Sequence, residues 1–153
     1  MNIQFVILSN ENAQQYIIYL QKALSAEPDL MWVEQVDEEG VMARVNDPFY
    51  QNTKSIMAMD GDAVVGRIEY HFYGCLQDGY RMAYVDWIYV LPEYRHKGVA
   101  QQLFREFEQE CVRYGIHQYF LIRATNQNAD KFYHSFVKAE LDDEPILRKT
   151  ITV

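Results

Sequence analysis

Ile88-Tyr89-Val90-Leu91-Pro92-Glu93-Tyr94-Arg95-His96-Lys97-Gly98-Val99-Ala100-Gln101-Gln102-Leu103 reads as a strand, a short loop and the start of a helix. A helix N-terminus exposes unpaired N–H groups and carries about half a positive charge, so it binds phosphate. Gly98 and Ala100 remove side-chain bulk where a ligand would approach the backbone, and Arg95 and Lys97 add charge. An ordinary strand-to-helix turn would also use one glycine and a few basic residues, so the glycine pattern alone decides little. The stretch lacks the Gly-Lys-Ser/Thr ending of a nucleotide-binding P-loop and the GxGxxG of a dinucleotide fold, so another phosphate-bearing ligand is required.

Outward from this stretch the chain alternates elements. Residues 82–90 form a run of mainly β-branched and aromatic side chains, expected as a central strand ending at Pro92. Residues 54–59 and 63–73 are extended runs joined by Asp60-Gly61-Asp62, a hairpin signal. Val99, Leu103, Phe107 and Cys111 step by four along a helix ending near Gly115, and residues 119–122 read as the next buried strand. A first strand at 4–8 leads to a helix capped by Ser9 or Asn10 and stopped at Glu27-Pro28-Asp29. Residues 30–50 suggest a short helix and turns, residues 128–137 a helix and residues 146–153 a terminal strand. The order β-α-(α)-β-β-β-α-β-α-β implies a mixed sheet covered by helices, in the α+β to α/β range.

The chain has 153 residues, 49% hydrophobic and 14% aromatic, enough for a core of its own in one domain over residues 1–153. A formal net charge of −8 argues against a nucleic-acid partner and favours attraction of a cationic one. Cys75 and Cys111 belong to no metal or redox spacing, so no metal site is expected and a reducing cytoplasm fits. Neither a signal peptide nor a run of membrane-spanning length is read, and self-association into a homodimer is left open.

The segment Val90-Leu91-Pro92-Glu93-Tyr94-Arg95-His96-Lys97-Gly98-Val99-Ala100 resembles the pyrophosphate-binding motif of the GNAT superfamily of N-acetyltransferases, Arg/Gln-x-x-Gly-x-Gly/Ala, met by Arg95, Gly98 and Ala100. The family's downstream Asn-x-x-Ala-x-x-x-Tyr is met by Asn126, Ala129 and Tyr133. Val137-Lys138 stands where many members carry Gly-Phe, a departure at the helix exit. The resemblance covers residues 54–153 well and the N-terminal third in outline. It implies a mixed, mostly antiparallel sheet of six to seven strands flanked by about four helices, and transfer of acetyl from acetyl-CoA to a primary amine. A non-catalytic acyl-CoA-binding or sensing module is the alternative.

The resemblance also implies roles. Ile88, Tyr89 and Val90 would hold the pantetheine and carbonyl by backbone groups, where the central strand splays from its neighbour. Arg95, His96, Lys97, Gly98, Val99 and Ala100 would hold the pyrophosphate. Asn126 would contact the cofactor or cap its helix, and Tyr133 would be the general acid to the CoA thiolate, its free phenol pKa near ~10 keeping it protonated. Strict alternation puts Tyr84, Asp86, Ile88 and Val90 on one strand face, making Asp86 the candidate general base, directly or through water. Glu69 on the neighbouring strand is the competing carboxylate, and His71 has no assigned role. The acceptor amine, a small molecule, peptide or protein, is not identified by the loop compositions.

Overall fold

A computed structural model describes residues 1–151. Its contacts divide into two compact units, Met1–Leu121 and Ile122–Val153.

The first unit is built on a sheet of β1 (Ile3–Ile7), β2 (Thr53–Asp60), β3 (Ala63–Gly74), β4 (Arg81–Val90) and β5 (Gln118–Leu121), in that spatial order. β1 to β4 pair antiparallel and β5 joins β4 in parallel. The mixed sheet follows expectation, but among the described residues it has five strands rather than six to seven. Residues 146–151, part of the expected terminal strand, have no regular structure, while Thr152 and Val153 lie outside the described residues. Gly61, at φ +61, takes the first of the two positions between β2 and β3, where a left-handed residue lets the turn follow the strands' twist.

Helix α1 (Ala13–Ala26) starts later than expected, with Asn12 rather than Ser9 or Asn10 at its N-cap. The Asn12 side chain donates to the Ile7 carbonyl and accepts from the Ser9 N–H, which fixes the strand-to-helix corner. Ile17, Tyr19, Leu20 and Ala23 of α1 pack with Met57, Val64, Tyr89 and Leu91 and with Val41 of α2 (Glu38–Asn46). Asp37 caps α2 by accepting from the Gly40 N–H. Helix α3 (Val99–Arg113) buries the stripe Val99, Leu103, Phe104, Phe107 and Cys111. It covers the other side of the sheet, with Phe107 against Tyr70 at 4.8 Å between ring centroids. The second unit holds α4 (Gln127–His134), capped by Asn126, whose side chain accepts from the Ala129 N–H at 2.9 Å.

Candidate active site

One irregularity shapes the candidate site. Glu69 pairs with Trp87 and the next residue, Tyr70, pairs with Val85, so Asp86 is an extra residue on β4, a β-bulge. Strict alternation therefore fails along this strand. Tyr84 lies opposite His71, whereas Ile88 and Val90 lie opposite Ile68 and Gly66 on the side that faces α3. The expected common face of Tyr84, Asp86, Ile88 and Val90 is corrected accordingly: Asp86 sides with Tyr84 and His71, and Ile88 and Val90 point the other way. The bulge also marks a divergence, because β5 pairs with β4 only from Met82 to Val85. Beyond it, Asp86 to Val90 carry no β5 pairing.

On the face toward α1, period two along β3 lines up Arg67, Glu69 and His71. Arg67 is 3% exposed, donates to Ser55 Oγ at 2.8 Å and Glu69 Oε1 at 3.1 Å, and lies between the rings of Tyr16 and Trp87. Trp87 donates its indole N–H to the Tyr19 hydroxyl, which donates to the Tyr89 carbonyl at 2.8 Å. His71 Nε2 is 2.8 Å from Asp86 Oδ2, and its Nδ1 is 3.1 Å from Thr53 Oγ1.

The two carboxyl groups are pushed apart. Burial raises Glu69 above its ordinary value, Arg67 opposing and the charge of Asp86 adding to the rise. Burial would raise Asp86 too, but hydrogen bonds from His71 and Glu69 and the nearby cations outweigh it and hold Asp86 below its ordinary value. The bond to Asp86 raises His71 against the opposing effect of burial. Glu69, His71 and Asp86 offer ligand-type atoms within 4.8 Å of one another, the spacing a metal could use. Two of the three are hydrogen-bonded to each other and the third is paired with the Arg67 cation, an arrangement that shares protons.

The expected phosphate end is built by β4, a 3-10 turn at Pro92–Tyr94 and the start of α3. His96 at φ +60 and Gly98 at φ +81 are both left-handed. For His96 that conformation costs about 1 kcal/mol or more, and such strain concentrates at functional loops. A Cβ on Gly98 would meet nothing within 4 Å, so the space beside the loop is open to a ligand. The loop and the first turn of a 15-residue helix thus fit a pyrophosphate. The Arg95 guanidinium turns elsewhere: Nε donates to the Val90 carbonyl, NH2 to Glu27 at 2.7 Å, and the group lies over the Tyr89 ring. The Lys97 ammonium lies over the Tyr94 ring. Of the backbone groups expected to hold pantetheine, the Tyr89 and Val90 carbonyls are already engaged, by Tyr19 and Arg95.

The structure brings Asp86, Ile88, Tyr89, Val90 and the loop residues Arg95 to Ala100 together along one strand and its exit. Asn126 and Tyr133 belong to the second unit, where Tyr133 contacts Phe132 and Phe136 and burial raises its phenol pKa. Sequence reasoning missed Arg67, Ser55, Thr53 and Tyr16. The charged row Arg67, Glu69, His71 at every second position was legible, but the residues that meet it across strands were not.

The model of the GNAT acetyltransferase family matches residues 17–137. No curated protein sequence matches the chain. Among solved structures, a ribosomal-protein-alanine N-acetyltransferase from Brucella melitensis biovar Abortus 2308 superposes with a TM-score of 0.76 at 18% identity, covering 97% of this chain and 100% of that one. An aminoglycoside acetyltransferase from an uncultured soil metagenomic sample, in complex with sisomicin, gives 0.78 at 16% identity, covering 99% and 96%. An aminoglycoside N-acetyltransferase in complex with CoA gives 0.70 at 15% identity, covering 97% and 95%. At these identities the likeness shows the fold. With its family model spanning most of the sequence, the chain belongs to the GNAT family of acetyltransferases and is an acyltransferase that uses acetyl-CoA.

Proposed function

We propose that the chain acetylates a primary amine of a small molecule, peptide or protein by direct attack in a ternary complex, within one functional domain over residues 1–153. The observation that carries this reading is the course of β4. From the bulge at Asp86 it runs without β5 pairing to Val90 and straight into the open, left-handed loop before α3. The Asp86 carboxyl and the N-terminus of α3 therefore lie at the two ends of one short segment, which supports the reading.

Acetyl-CoA supplies a thioester carbonyl open to nucleophiles. In this reading the N–H groups of the loop, from His96 to Ala100, hold its pyrophosphate and Lys97 adds charge. Arg95 braces the loop from behind through Val90 and Glu27. Ile88, Tyr89 and Val90 hold the pantetheine arm, and the N–H groups of Ile88 and Val90, which point away from β3, donate toward the oxyanion. Asp86, held ionised, accepts the proton of the incoming ammonium directly or through water, and Glu69, made the stronger base by burial but paired with Arg67, is the competing carboxylate. Tyr133, kept protonated by its raised pKa, donates to the departing thiolate. Asn126 caps α4, and its resemblance to the family's asparagine supports a cofactor contact. A cationic acceptor fits the net charge of −8 by long-range attraction, since the cluster itself pairs Arg67 with Glu69 and His71 with Asp86.

The test is calorimetric titration of acetyl-CoA into the wild type and Ala100→Glu. A glutamate in the first turn of α3 is favourable to the helix but repels a pyrophosphate, so folding is not the risk. Micromolar binding lost in the variant supports the reading. Equal binding by both proteins removes the pyrophosphate from this loop.

A further inference from the structure

His71 joins three strands at one point. Its own strand, β3, places it opposite Thr53 of β2 and Tyr84 of β4. Its Nδ1 meets Thr53 Oγ1 at 3.1 Å, its Nε2 meets Asp86 Oδ2 at 2.8 Å, and Tyr84 stacks on it with ring centroids 6.1 Å apart. An imidazole engaged at both nitrogens and on one face has a fixed ring orientation. Only the bulge makes the Asp86 contact, by delivering an extra β4 residue to this face between Val85 and Trp87.

We propose that His71 is a positioning residue of the acetyl-transfer reaction, acting through Asp86: its Nε2–H fixes Oδ2 of the carboxylate, Oδ1 takes the acceptor's proton, and the charge on the imidazole sets how readily it does so. This rests on the acetyl-transfer reading above. An acceptor entering as R–NH3+ loses one N–H bond to Asp86, where an O–H bond forms, and the electron pair left on nitrogen attacks the carbonyl carbon. The C–S bond breaks with its pair going to sulfur, and the thiolate gains a proton equivalent to the second one shed by nitrogen. The proton on Asp86 passes to solvent, so the sum is an amide, CoA thiol and one released proton.

The imidazolium form holds Asp86 in an ion pair and makes it a weak base. The neutral form still donates Nε2–H to Asp86 and accepts the Thr53 hydroxyl proton at Nδ1, but it withdraws the facing positive charge and leaves the carboxylate more basic. The groups in the surrounding field are Thr53 and Ser55 from β2, Arg67 and Glu69 from β3, Tyr84 and Asp86 from β4, and Tyr16 from α1. Asp86 and Glu69 favour the imidazolium and burial opposes it, with the balance upward. The switch therefore lies above the ordinary histidine value of 6.5.

The test has two arms. In the first, the imidazole nitrogens are titrated by NMR in the acetyl-CoA complex, with His71 assigned by comparison with His71→Gln. His71 is expected to titrate above 6.5 and to move down in Asp86→Asn. In the second, CoA release is followed against pH with an N-terminal-alanine peptide and with sisomicin as acceptors. His71→Gln keeps an N–H donor without titrating, so kcat/KM at alkaline pH should stay within about tenfold of wild type while the part of the rising limb due to His71 disappears. His71→Leu, with no donor, should lose about a hundredfold. Titration of His71 at its ordinary value irrespective of Asp86, or an unchanged rising limb in His71→Gln, overturns the proposal. Binding of acetyl-CoA by a wild type that releases no CoA to any amine instead removes the acetyl-transfer reading on which it stands.

Discussion

Under α3, strands β3 and β4 present Ile68, Tyr70, Ile88 and Val90 to a helix stripe that includes Leu103 and Phe107; under α1 the same two strands present Arg67, Glu69, His71 and Trp87. Both faces are covered by a helix, yet only one is apolar throughout its centre. Burying a charge such as Arg67 costs several kcal/mol unless partners compensate, and a hydrophobic replacement is often as stable. Here Ser55, Glu69 and two aromatic rings supply the compensation, while the Arg67 Nε–H is left buried without a hydrogen-bond partner. The comparison teaches that the α3 face supplies packing, whereas the α1 face retains a charged cluster, the one to which the proposed reaction assigns proton transfer. The bulge at Asp86 lets a single strand serve both.

The comparison can be broken at either face. Phe107→Ala should produce the largest loss of stability, about 3–5 kcal/mol, because a fully buried ring is removed from the α3 face. Denaturant unfolding measures it, and the pH dependence of turnover should be unaltered. Arg67→Ala should cost about 3 kcal/mol, since it strands Ser55 and Glu69 in a buried site, and Arg67→Met should cost less. If the alanine and methionine variants are equally stable, the guanidinium's pairing is not what the site needs. Asp86→Asn should lower kcat/KM about a hundredfold, near 2.7 kcal/mol, with acetyl-CoA affinity nearly unchanged.

The smallest effect is in stability against pH. The folded-state pKa of His71 is raised, so its contribution is fully present below the ordinary value of 6.5 and is lost as pH rises through the raised value. The pKa of Asp86 is lowered, so its contribution is present above 3.8 and is lost as pH falls through the lowered value. The stability difference between wild type and His71→Gln, followed by thermal melts, should therefore be largest near pH 5–6 and shrink toward pH 9. A constant difference would show that His71 does not titrate with folding.

The elements of the candidate phosphate end were legible in the sequence because they are local: strand, Pro92 turn, Gly98 and the α3 stripe follow one another without interruption. The direction of Arg95 was not, because its partners Glu27 and Tyr89 arrive from a helix end and a strand face that only folding brings near. Parity along β4 failed for the same reason, since a bulge is a property of a strand pair rather than of one strand. Ser9, Asn10 and Asn12 are all competent caps, and the choice fell to the one whose amide reaches the Ile7 carbonyl. Residues 146–151 carry a strand-like composition, but Ile146, Leu147 and Ile151 are exposed, and β propensity without a partner strand specifies nothing.

The most direct test of the account is to measure acetyl-CoA affinity and amine-dependent CoA release in parallel for Asp86→Asn and Ala100→Glu. If cofactor binding and proton acceptance occupy the two ends of the Asp86–Ala100 segment, Asp86→Asn keeps its affinity and loses turnover, while Ala100→Glu loses affinity. An Asp86→Asn protein that turns over like wild type would contradict the assignment of the α1 face to chemistry.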